Sequence, residues 1–171
     1  MTPRGQDAAR RAFLASVQPA VSRVSPAVVL ESRTIRTGLP VWTFDDRFVP
    51  LRGASQLEFS LLLRYESGRA RSGPSTWGSQ VVEYAYHVRH RSGANLIRFE
   101  WHPLRHEIRF PHLHVQGQAG PVRIDQKLHI PTGIVPFSQV IRFLIEELDV
   151  LPIRPDWRQI VDPEGDEGTP P

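Results

Sequence analysis

The sequence contains no cysteine. Disulfides, zinc–thiolate sites and Cys nucleophiles are thereby excluded, and any metal would have to be held by histidine and carboxylate. Lysine is nearly missing as well: Lys127 stands alone and every other basic residue is arginine. Arginine forks match phosphate and carboxylate better than a lysine point charge does, which points to a polyanionic partner. A GC-rich genome produces the same bias with no functional cause. No window approaches the roughly 18 uninterrupted apolar residues of a membrane span, so no membrane partner is expected. The first residues, MTPRGQDAARRAFLASVQ, carry charges where the apolar core of a signal peptide would lie, and a cytoplasmic location is expected. The chain also lacks a GxSxG elbow, a phosphate loop and a dinucleotide fingerprint, so Ser triads and nucleotide cofactors gain no support.

What is present suits one domain: 171 residues, 40% of them hydrophobic, can bury one ordinary core. The formal charge is +3, but eight acids fall between Glu146 and Glu167, which leaves the remainder clearly basic. The stretch from Val81 to Val115 holds six of the seven histidines and the densest mixture of Arg, Glu and aromatic residues. Function is expected there.

The N-terminal fifty residues are poorly marked. A short helix is expected from Asp7 to about Val17, stopped by Pro19, with a weak apolar stripe. VVLESRTI, from Val28 to Ile35, reads as a strand, and the following GLPVWTFDDRFVP as a loop or irregular strand. From Leu57 the pattern sharpens: Leu57, Phe59, Leu61, Leu63 and Tyr65 alternate with Glu58, Ser60, Leu62 and Arg64 until Glu66-Ser67-Gly68. Arg69 to Gly78 reads as an exposed basic loop. A second strand runs from Val81 to Arg91, with Val82, Tyr84, Tyr86 and Val88 on one face. In the third strand the apolar residues are Ile97, Phe99 and Trp101, so parity switches across the turn. Opposed residues in a hairpin share a face, which sets Arg91 opposite Ala94 around a two-residue Ser92-Gly93 loop, His87 opposite Arg98 and Glu83 opposite His102.

His102-Pro103 ends that strand, HLHV reads as a short edge strand, and a further strand is expected near Val122 to Ile130. The helix PFSQVIRFLIEEL places Phe137, Val140, Ile141, Leu144, Ile145 and Leu148 on one stripe that needs an apolar sheet face. The fold class expected is α+β, an antiparallel sheet of four to six strands with the C-terminal amphipathic helix packed on one face. The expected division is a poorly defined segment over 1–50, a core over 51–160 and an acidic disordered tail over 161–171.

The face opposite the helix would display Arg64, Glu83, His87, Arg89, Arg98, Glu100, His102, His112 and His114. A solvated antiparallel face would carry charges of both signs. Histidine is not a favoured solvating residue, however, and His106 joins His87, His102, His112 and His114 in the same region. Two chemistries fit. In one, a histidine or Glu100 takes the proton of a ribose 2′-hydroxyl, another histidine protonates the leaving oxygen, and Arg98 or Arg109 stabilises charge on phosphorus, with no cofactor. In the other, His112 and His114 bind a divalent metal together with Glu100 or His102. The first gives His102, His112, His114, Glu100 and Arg98 as catalytic residues and Arg64, Arg89, Arg109 and His87 as nucleic-acid contacts. His90 and His129 read as surface or packing residues.

The succession YAYHVRH, LIRFEWHP and RFPHLHV resembles the TumE-type toxins of bacterial toxin-antitoxin pairs, over roughly Leu57 to Leu148. The resemblance falls on Tyr84, Tyr86, Arg98, Glu100, His102, His112 and His114. It implies a small α+β toxin with a helix-turn-helix antitoxin partner, and RNA as target fits the acid-base reading. Two departures stand out: Glu100 occupies a position where an aspartate is expected, and Leu113 separates two histidines that are often consecutive. The alternative from another class is a binding module whose Arg/His face holds nucleic acid or a protein without cleaving it.

Overall fold

A computed structural model describes residues 3–33, 40–45, 47–53, 56–69, 77–104, 107–119, 122–125 and 127–161. Among them the chain forms α1 (Pro3–Val21), β1 (Val29–Arg33), β2 (Pro40–Phe44), β3 (Val49–Pro50), β4 (Leu57–Arg69) and β5 (Trp77–His90). Then follow β6 (Asn95–Trp101), β7 (His112–Val115), β8 (Gly117–Ala119), β9 (Val122–Ile124), β10 (Ile130–Pro131), α2 (Phe137–Glu146) and α3 (Trp157–Val161). The expected α+β class is correct, but the antiparallel sheet has eight strands rather than four to six. Its order is β1, β2, β4, β5, β6, β7, β10, with β3 also on β4, while β8 and β9 pair separately.

The alternation seen in the sequence becomes two chemically distinct faces. On one, Phe59, Leu61, Leu63, Tyr84, Tyr86, Val88 and Phe99 are buried. The stripe of α2 packs there: the Phe137 ring lies 6.3 Å from Phe59 and 5.7 Å from Tyr86, and Phe143 meets Phe99 edge-on. Val140, Ile141 and Leu144 are fully enclosed, each removing on the order of 1.5–3 kcal/mol worth of apolar surface from water.

Described residues from the first fifty contribute to this same core, among them Val17, Val24, Val29, Trp42, Phe44 and Val49. The helix starts earlier than Asp7 and runs through Pro19 to Val21. A proline inside a helix costs about 3 kcal/mol. Burial of Val17, Ala20, Val21 and Val24 outweighs it. The stripe looked weak because alanine supplies much of it, yet Ala9 and Ala20 let the helix lie close to the sheet while Phe13 reaches Trp42 at 4.7 Å and Tyr65 at 5.1 Å.

The register prediction holds in the body of the hairpin, where His87 lies opposite Arg98. It fails at the tip. A bulge shifts Arg89 onto Asn95, His90 N–H donates to Ala94 O at 2.8 Å, and the loop is Arg91-Ser92-Gly93. A three-residue loop needs a residue at positive φ, and Gly93 supplies it at 90°. β4 also continues past Gly68, Arg69 pairing with Trp77, so the expected loop is narrower. Its positions 70–76, His106 and the tail from 162 lie outside the described residues. HLHV is one strand in from the edge, because β10 pairs with it.

Gly53 has φ +143°, and a Cβ built on it would stand 2.7 Å from the carbonyl oxygen of Asp149. Gly53→Ala is therefore expected to lower stability by about 1 kcal/mol or more, through strain and a backbone clash. A denaturant midpoint equal to that of the wild type would show that this loop yields freely.

Candidate functional site

The polar face is not a solvated surface: Arg64, Glu83, His112 and His114 on it are all buried. Cross-strand pairing arranges it in rows. Ser60, His87, Arg98 and His114 form one row, and Leu62, Ala85, Glu100, His112 and Pro131 the next. Arg64 lies opposite Glu83 in a third. His102 extends that row, its Nδ1 lying 2.9 Å from Glu83 Oε1. His102 and His112 thus share a side, as the parity argument required.

Glu100 is the centre of the arrangement. Its Oε1 lies 3.0 Å from Arg98 Nε and 3.5 Å from His102 Nε2. Its Oε2 lies 3.2 Å from His114 Nε2 and 3.8 Å from His112 Nε2. Burial pushes the Glu100 carboxyl up, but the His102 hydrogen bond and the Arg98, His102 and His114 charges together hold it down at about 2. The same contacts act on His102 with opposite sign. Burial alone would lower that ring, yet bonds and charges from Glu100 and Glu83 leave its pKa above the usual histidine value. Glu83 in turn is ion-paired through Oε2 with the Arg64 guanidinium.

The expected nucleic-acid contacts separate into two groups. Arg64 is 3% exposed and turned to Glu83, so it holds the site together and does not reach a phosphate outside; the reading of it as a nucleic-acid contact is corrected. Arg89 Nε donates to Glu58 at 2.8 Å, and its guanidinium lies 3.6 Å over the Phe48 ring. His87 is half-buried and bonded through Nε2 to Asn95 Oδ1 at 2.8 Å, and burial lowers its pKa. Arg109 is exposed, and its carbonyl accepts a hydrogen bond from Trp101 Nε1.

A cleft of about 380 Å³ opens beside Glu100, within the roughly 300–1,000 Å³ typical of ligand sites. His87, Arg98, Glu100 and Ser60 line it from the sheet, and Asp45, Arg47 and Phe48 from the connection between β2 and β3. Sequence reasoning missed Arg47 and Phe48, because nothing local says that this connection folds over the polar face.

His129, expected as a surface or packing residue, packs at this face. The pairing of Ile130 with Leu113 and Pro131 with His112 brings the residue before β10 beside His114. The His129 ring lies 4.5 Å from His114 and 5.0 Å from His112, and ligand atoms of all three histidines fall within 4.8 Å of one another. Among the described residues, these three group closely enough to hold a metal, with Glu100 Oε2 adjoining. Comparison of this chain with protein-family models, with curated proteins and with solved structures finds no match.

Proposed function

We propose that the protein is a toxin-like ribonuclease that takes single-stranded RNA into the cleft beside Glu100. The observation that carries this reading is the Arg98–Glu100–His102 series, one carboxylate bridging a guanidinium and an imidazole, with Arg98 and Glu100 lining that cleft. Arg98 provides a planar fork for phosphate, while Phe48 and Arg47 offer the aromatic and cationic contacts that suit unpaired nucleotides.

His87, which lines the same cleft and whose pKa burial lowers, takes the proton of the ribose 2′-hydroxyl as that oxygen bonds to phosphorus. The bond from phosphorus to the 5′-oxygen breaks, and His102 protonates the departing oxygen, leaving a 2′,3′-cyclic phosphate and a 5′-hydroxyl. Glu83 orients His102 through Nδ1, as the third member of a triad orients its base. The toxin part of the proposal rests on the resemblance to TumE-type proteins and implies a helix-turn-helix antitoxin and a cytoplasmic target.

Purified protein incubated with single-stranded RNA is expected to generate cyclic-phosphate ends. Arg98→Ala should slow cleavage by about 10²–10³-fold and His102→Ala by about 10²–10⁴-fold. RNA retained without cleavage would replace this reading with that of a binding module. Neither retention nor cleavage would remove both.

A further inference from the structure

We propose that His112, His114 and His129 form a binding site for one divalent transition metal of the zinc class, with Glu100 Oε2 beside it. The inference goes beyond the ribonuclease reading and does not rest on it. Its basis is a convergence from one strand and a connection: His112 and His114 project from alternate positions of β7 onto the polar face, and the β7–β10 pairing brings His129 against them. Three imidazoles grouped around a common point, two of them buried, are an unusual way to fill a protein interior. They are a usual way to hold zinc.

A second observation concerns which nitrogens are available. His112 Nδ1 lies 2.9 Å from the Phe110 carbonyl oxygen, which can only accept, so Nδ1 carries the hydrogen and the lone pair of the neutral ring stands on Nε2. Such a bond from the distal nitrogen to a carbonyl is how metal-binding histidines are commonly oriented. Nε2 is the atom that faces Glu100 Oε2, and His114 Nε2 faces the same oxygen.

The charge distribution agrees. Arg98 opposes His114 across the strands, but its Nε meets Glu100 Oε1, while Oε2 is turned to the histidines. A cation there meets a carboxylate oxygen rather than a guanidinium. Three nitrogen donors with one oxygen favour zinc, cobalt, nickel or copper over calcium and magnesium, which take oxygen ligands. The ligand atoms lie within 4.8 Å of one another. Nitrogens bound to one zinc at about 2.0–2.1 Å stand roughly 3.3 Å apart, so the rings close in by up to about 1.5 Å on binding. His129, just before a two-residue strand, is the least buried of the three and is the ring placed to make most of that movement.

The test is titration of the metal-free full-length chain with Co(II), without RNA, so that metal binding and RNA cleavage succeed or fail separately. Binding of one equivalent is expected, with visible ligand-field bands of a nitrogen-coordinated ion that Zn(II) abolishes by displacement. His129→Ala should weaken binding by at least about a hundredfold. His90→Ala, at the hairpin tip, should leave it unchanged. NMR of the wild-type chain provides a reading independent of any variant: Zn(II) should shift the ring signals of His112, His114 and His129 and spare that of His90. The proposal is overturned by the lack of saturable binding, by wild-type affinity in His129→Ala, or by Zn(II) shifting His90 in place of the three.

Discussion

Replacing Glu83 with alanine is expected to destabilise the protein by about 3–5 kcal/mol, the usual cost of removing one partner from a buried ion pair. Glu83 is 4% exposed and Arg64 3%. Its carboxylate serves two groups, Arg64 through Oε2 and His102 through Oε1. Truncation leaves the Arg64 guanidinium buried without that carboxylate and removes the acceptor for His102 Nδ1. Removing both charges together should behave differently, because two apolar side chains of similar volume carry no desolvation penalty. Arg64→Met combined with Glu83→Leu is expected to recover most of the loss, yet to cleave RNA poorly, since His102 remains without its orienting partner. Urea unfolding at constant m-value measures the first effect and the cleavage assay the second. A Glu83→Ala midpoint close to wild type would mean that water reaches Arg64 and that the pair is not a structural anchor.

Trp42→Ala should cost a similar amount, about 3–5 kcal/mol. The side chain is 1% exposed and lies 4.7 Å from Phe13 in α1 and 5.0 Å from Tyr65 in β4. Its Nε1 donates to Glu31 Oε2 at 3.1 Å, and the same oxygen accepts from the Tyr65 hydroxyl at 3.2 Å. The substitution therefore opens a cavity and weakens a polar junction joining α1, β1, β2 and β4. Calorimetry should show one transition at reduced Tm if the first fifty residues are part of the core. A separate early transition, with the rest unchanged, would instead make them an appendage.

That second case shows where local reading of the sequence fails. The strands from Leu57 to Trp101 were legible because a period of two is a local property, and the parity change across the turn determined that His87 opposes Arg98. The hairpin tip was not, since a two-residue and a three-residue loop differ by one bulge that restores the same register further along. The stripe of α2 was legible for the same reason as the strands, its period of 3.6. α1 was not, because alanine and a proline give little signal before a neighbouring surface is known.

The candidate site divides in the same way. Sequence alone placed Arg98, Glu100, His102, His112 and His114 on one face, by alternation and strand order. It could not tell that this face is buried, that Arg64 is spent on Glu83, or that Arg47 and Phe48 cover part of it. His129 is the clearest instance: no period links it to His114, fifteen residues earlier, and only the pairing of β10 with β7 sets the two rings 4.5 Å apart. The α+β class and the facing of the strands from Leu57 to Trp101 were written in local periodicity. Which residues meet from distant segments, and hence whether the histidines form a site, depended on long-range strand pairing, whose free energy resides in tertiary contacts that no short window contains.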